Sequence, residues 1–97
     1  MKNQREKQEW ILDFLEKRKT TPYAQINVLD KYFVVEYIEK FNPDKVAYYF
    51  YGAPKCPEIG KLLSIMYNCN LLKRYRVGLS NMESGFPKWV YCYELRY

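Results

Sequence analysis

Lys61, Ser64 and Asn68 are polar positions in a segment that also carries Ile59, Leu62, Leu63 and Met66. Spacings of three and four put the two sets on opposite faces of one helix. A lysine can donate to guanine acceptors and an asparagine can pair bidentately with adenine, so the polar face has the chemistry to read base edges. Lys55 lies just before this segment. There its charge, and the free N–H groups of a first helical turn, suit a phosphate. Further on, Arg74 and Arg76 alternate with Tyr75 and Val77, and Lys88 precedes Trp89. An extended ribbon with these cations on its open face could grip a phosphate backbone. Taken singly, each of these residues reads as part of a solvated face. Taken together on one helix and one ribbon, they favour binding.

Other chemistry finds little support. The chain has no histidine, which excludes histidine-based triads and the common histidine zinc sites. Cys56, Cys69 and Cys92 are odd in number and form no C-x-x-C pair, so no metal site is expected. They read as reduced packing residues, with one bridge as the alternative in a hyperthermophile. A cysteine nucleophile would lack a histidine base, the carboxylates fall on polar faces or caps, and no glycine-rich phosphate loop is present. The expectation is therefore no enzyme and no cofactor.

These groups need elements to hold them. Asn3 followed by Glu6 fits a capping box, and Trp10, Ile11, Phe14 and Leu15 form a narrow apolar stripe on the helix that follows. Lys17, Arg18 and Lys19 suit its negative end, and Thr20-Thr21-Pro22 stops it. A stripe this narrow either packs across the domain or pairs with a second copy. Asn27 followed by Asp30 offers a second cap, before a broad apolar face at Leu29, Phe33, Val34, Tyr37, Ile38 and Phe41. Tyr32 to Val35 is β-prone, but length and capping favour a helix. Asn42-Pro43-Asp44 reads as a restart, leading to a short helix with Val46, Ala47 and Phe50 inward and Gly52 at its end. On that helix Tyr48, Tyr49 and Tyr51 cannot all face the core. Pro57 opens the helix that carries Lys61, and Asn70 is its left-handed terminator. The rest is a hairpin, with Trp89, Tyr91 and Tyr93 turned to the core and Arg74, Arg76 and Lys88 turned to solvent.

With 97 residues there is room for one domain. The net charge is +5, and the eighteen aromatic side chains supply bulk to a small core. Six basic and four acidic residues precede Thr21, two and three lie from Thr21 to Asn42, and eight and four follow. The cationic excess thus falls in the half that carries Lys61 and the hairpin, the footprint of a polyanion binder. No apolar run is long enough for a bilayer span and the first residues are polar, so no membrane association and an intracellular location are expected.

The order of helix, short helix, turn, helix and two-stranded hairpin resembles a winged helix-turn-helix domain, an α+β fold that is mainly α. Pro57-Glu58-Ile59-Gly60-Lys61-Leu62-Leu63 is similar to the start of the family's recognition helix, Leu71-Leu72-Lys73-Arg74-Tyr75 to its passage into the wing, and Phe86 to Tyr93 to the returning strand. Cys56 stands where the family often has a Ser or Thr cap. The resemblance implies a winged-helix core over residues 27–97 and a helical extension over 1–20. Trp10, Ile11, Phe14 and Leu15 would then serve dimerisation. It also implies double-stranded DNA as partner. The helix over 57–69 would lie in the major groove, the 71–95 hairpin would act as wing, and Lys55, Lys61, Ser64, Asn68, Arg74, Arg76 and Lys88 would make the contacts. A homodimeric transcriptional regulator from an archaeal or viral genome is the expectation. A protein-interaction module using the same surfaces, and single-strand binding through tyrosines, are the alternatives.

Overall fold

Helix α1 (Gln4–Arg18) forms where the apolar stripe predicts it, with Ile11 and Leu15 fully buried. The computed structural model describes residues 4–48, 54–79 and 88–96, so the Asn3 cap lies outside the described residues. Trp10 stacks on Phe33 at 5.9 Å and meets Phe41 edge-on at 5.6 Å. This helix was expected as an extension of the domain. It is instead one wall of the core, because its stripe is covered by the chain's own aromatics.

Helix α2 (Lys31–Phe41) starts three residues later than the Asn27 cap predicts. Asp30 is the N-cap, its carboxylate accepting from the Phe33 N–H at 3.2 Å. Asn27 instead turns the connector, its side chain accepting from the Leu29 N–H at 2.8 Å. Asp30 also binds Arg18 at 3.3 Å, which ties the end of α1 to the start of α2. Asn42 ends α2 in the left-handed region at φ 46°, its N–H donating to the Ile38 carbonyl at 2.8 Å.

That conformation explains why no helix starts at Pro43 among the described residues. An N-cap needs extended backbone, and Asn42 is committed to closing the previous helix. Strand β1 (Ala47–Tyr48) follows and pairs antiparallel with β2 (Pro54–Lys55). Ala47, expected inward, is exposed, and so is Tyr48, one of the three tyrosines that cannot all face the core. Tyr49, Phe50, Tyr51 and Gly52 lie outside the described residues.

Helix α3 (Pro57–Asn68) buries Ile59, Leu62, Leu63 and Met66, as the periodicity predicts. It ends in a Schellman turn. Asn70 has φ 63°, the Leu71 N–H donates to the Met66 carbonyl at 2.9 Å, and the Asn70 N–H donates to Tyr67 at 3.0 Å. Strands β3 (Leu72–Gly78) and β4 (Trp89–Leu95) form the antiparallel hairpin. Ile26 adds a third rung on the β4 edge, exchanging hydrogen bonds with Tyr93 at 2.9 and 2.8 Å. The result is an α+β domain of three helices and two small antiparallel sheets among the described residues. None of its helices is long and apolar enough to cross a membrane.

One polar contact sits inside this frame. Lys7 of α1 is almost fully buried, and its Nζ lies 2.9 Å from the Glu58 carboxylate in the first turn of α3. The Tyr37 hydroxyl of α2 donates to the other Glu58 oxygen. Burial alone would raise the Glu58 carboxyl, but the hydrogen bonds from Tyr37 and Lys7 and the ammonium charge outweigh it and hold the group below its ordinary value. Burial first, and the adjacent carboxylate second, push the Tyr37 phenol far above its ordinary value.

The two shifts act at opposite ends of the pH scale. A depressed carboxyl stabilises the fold fully above its unfolded value of about 4.3, and this is lost as pH falls. A raised phenol stabilises fully below about pH 10, and this is lost as pH rises. Thermal melts should therefore show a plateau between these limits with a decline on each side. Glu58→Gln should flatten the acid decline, and Tyr37→Phe the alkaline one. Unchanged limbs in both variants would show that other groups govern the pH response.

Candidate nucleic-acid interface

The outer face of α3 carries Lys61 and Asn68 exposed and Ser64 half-buried, with Ile65 between them at 40% exposure. Lys55 is exposed on β2, two residues before the helix. Cys56 occupies the N-cap without a side-chain capping bond, and its backbone carbonyl accepts from the Ile59 N–H at 3.1 Å. Pro57, which has no N–H to satisfy, takes the first helical position. Burial pushes the Cys56 thiol up, so it stays protonated at neutral pH.

The hairpin departs from expectation in its register. Arg74 lies opposite Tyr93, Arg76 opposite Tyr91 and Gly78 opposite Trp89. Directly opposed residues share a face. The arginines therefore stand on the aromatic face of the ribbon, not across from it. On the other face Lys73 pairs with Glu94 at 3.1 Å, and Tyr75 lies opposite Cys92.

Close to the helices the aromatic face enters the core through Leu72 and Tyr93, and further out it opens to solvent. Trp89, expected in the core, is 39% exposed. In this outer part the arginines lie on rings. The Arg74 guanidinium carbon is 3.9 Å from the Tyr67 ring of α3 and 4.0 Å from the Tyr91 ring. Arg76 lies 4.4 Å over Trp89, and Trp89 meets Tyr91 edge-on at 4.9 Å. Lys88 is exposed beside Trp89, its carbonyl accepting from the Leu79 N–H at 2.8 Å. The hairpin tip, Ser80 to Pro87, lies outside the described residues. The structure thus joins Arg74 and Arg76 to Tyr67, Tyr91 and Trp89, three partners that the sequence reading did not assign to them.

Charge is uneven around the molecule. Among the described residues Glu58 is engaged by Lys7 and Glu94 by Lys73, whereas Lys61, Arg74, Arg76 and Lys88 have no acidic partner. The groove between α1 and α2 contrasts with this. It encloses about 620 Å³ above Trp10 and Phe14, and is rimmed by Asp13, Glu36 and Glu39 against Lys17, Arg18 and Lys40. Three acids balance three bases, a poor match for a polyanion. Of the four residues expected to dimerise, Ile11 and Leu15 are 0% exposed within the chain's own core and offer nothing to a second copy. Trp10 and Phe14 alone reach the groove.

No family model, curated protein or solved structure matches this chain.

All three thiols are free, with Cys56 and Cys92 buried and Cys69 exposed beside Asn68 at the end of α3. A thiol reagent should modify Cys69 rapidly in the native protein, and the other two only on denaturation. Rapid reaction of a second thiol would contradict the packing around the α3 N-cap or the hairpin.

Proposed function

We propose that this chain is a winged helix-turn-helix protein that binds duplex DNA sequence-specifically and regulates transcription inside the cell. Helix α3 lies in the major groove with Lys61, Ser64 and Asn68 towards base edges, and the β3–β4 hairpin is the wing, with Arg76 and Lys88 against the backbone. Regulation follows from occupancy, since a bound site excludes or recruits other proteins. The order of α1, the Ile26 rung, α2, α3 and the hairpin supports this reading. The observation that carries it is the set of cations on α3 and the hairpin, Lys61, Arg74, Arg76 and Lys88, that have no acidic partner among the described residues, placed beside an exposed polar helix face. A protein-only role for this face is less well supported. Tyr67 is covered by Arg74, which leaves Ile65 isolated among Lys61, Ser64 and Asn68.

Anisotropy titrations against duplex DNA at several salt concentrations test the reading. Log affinity should fall linearly with log salt, at a slope of about 0.9 for each phosphate contacted. Lys61→Ala and Arg76→Ala should each weaken binding, by about 1–3 kcal/mol where the contact is to a base and less where it is to phosphate. Salt-independent binding, or full affinity in the double variant, would overturn the reading. Ready displacement of duplex by single strands would instead favour base stacking.

A second copy is proposed at the α1–α2 groove. Tyr23 and Tyr32, at 71% and 78% exposure, flank a crevice of about 380 Å³ that continues the groove past Arg18. Equal numbers of acids and bases let such a face complement its own copy in a chain of net charge +5. Neither depression is lined by α3 or the hairpin, so both reading surfaces stay open in the dimer. Sedimentation should give twice the 11.8 kDa chain mass, and Tyr23→Ala with Tyr32→Ala should give a folded monomer whose melt, unlike that of the wild type, does not depend on protein concentration. A monomeric wild type at millimolar concentration, or a dimeric double variant, would rule this interface out.

A further inference from the structure

The Arg74 guanidinium carbon lies over two rings, 3.9 Å from the centre of Tyr67 and 4.0 Å from that of Tyr91. An ammonium is also attracted by π faces, but a flat guanidinium adds a planar stacking contact with each ring that an ammonium cannot make. The three residues come from three elements: Tyr67 from the last turn of α3, Arg74 from β3 and Tyr91 from β4. Helix α3 is already joined to β3 by the tight turn at Asn70 and Leu71. The core contacts of Leu72 and Tyr93 hold the inner end of the ribbon, and the Arg74 contact with Tyr67 is an attachment further out, where the ribbon leaves the core. Arg76 stands two residues beyond, with a single ring under it and its other side exposed. The two arginines therefore differ in kind, although the sequence presents them as equals.

We infer that Arg74 is a positioning residue that locks the hairpin against α3, and that Arg76 is the arginine of this ribbon that meets the phosphate backbone. This rests on the DNA-binding reading above and assigns different work to two residues of the same surface. Phosphate binding uses charge, whereas the bracket uses a planar group against two rings. Lysine in place of Arg74 keeps the first property and loses the second.

The test is a set of anisotropy titrations with duplex DNA across a salt series, on the full chain and on Arg74→Lys, Arg74→Ala and Arg76→Ala. Both Arg74 variants should lose affinity by roughly five- to tenfold at every salt concentration, with the salt slope unchanged. Arg76→Ala should reduce the slope by about one. Tyr67→Leu should cost as much as Arg74→Ala, and the double variant little more than either. Wild-type affinity in Arg74→Lys, a slope lowered by Arg74→Ala, or additive losses in the double variant would each make Arg74 an ordinary phosphate contact and overturn the inference. Arg74→Lys keeps the test open should Arg74→Ala unfold. Residual dipolar couplings of α3 and hairpin amides give a readout that needs no DNA. The wild type should fit one helix–ribbon orientation and Arg74→Lys an averaged one. A wild type that binds no duplex would end the DNA reading alone. Identical couplings in wild type and Arg74→Lys would end the bracket.

Discussion

One carboxylate joins all three helices. Glu58 stands in the first turn of α3 and is held by Lys7 of α1 and Tyr37 of α2. The arrangement is costly to leave half-made, because removing one partner of a buried pair costs about 3–5 kcal/mol, less where one partner keeps some water. Here the Lys7 side chain is 8% exposed and that of Glu58 37%. The lysine is therefore the group that cannot do without its partner. Hydrophobic contact fixes how closely the helices approach but is indifferent to small slides. Directional bonds to a single carboxylate fix the register, and with it the start of α3. A negative charge there also suits the positive end of the helix dipole, where Cys56 contributes no side-chain cap.

The consequence reaches the opposite end of α3. Twelve residues of helix carry the register set at Glu58 to Tyr67, Asn68 and the Asn70 turn. From that turn the chain enters β3, and the Arg74 guanidinium returns to Tyr67. A helix pinned at its start by an ion pair, and near its end by a stacked cation, has little freedom to rotate or tilt. Its outer face then presents Lys61, Ser64 and Asn68 in one fixed arrangement, which is what the proposed reading of bases would require of it.

Much of this was legible in the chain, and the parts that were not share a cause. The buried faces of α2 and α3 follow from spacing alone, because 3.6-residue periodicity is a local property. Asn70 and Pro57 likewise act through their own backbone preferences. Asn42 stands before a proline and an acid, as a helix start does, yet it ends a helix. The same residue type suits both jobs, and only its neighbours' competing demands decide between them. The narrow stripe of α1 was legible, but its partner was not. Whether Ile11 and Leu15 meet their own core or a second chain depends on groups distant in sequence. The cation–aromatic pairs of the hairpin were hidden for a sharper reason. Alternation tells which residues of one strand share a face, while the connecting segment decides which face of the other strand joins them. A one-residue slip exchanges the two answers. Gly78 pairs with Trp89 across ten intervening residues, and a connection of that length carries no turn signature that would fix the parity.

That parity has a functional weight beyond topology. Had Arg76 stood on the opposite face of the ribbon, away from Trp89, it would have been a free side chain in water, to be ordered on binding. Ordering a long, rotamer-rich side chain costs about 0.5–1.5 kcal/mol in an interface. Resting on Trp89, Arg76 bears part of that ordering before any partner arrives. Stacking uses the flat faces of a guanidinium and leaves its edge donors available, the geometry in which arginine recognises phosphate and guanine. An aromatic load that first reads as bulk for a small core thus also organises charge at its surface.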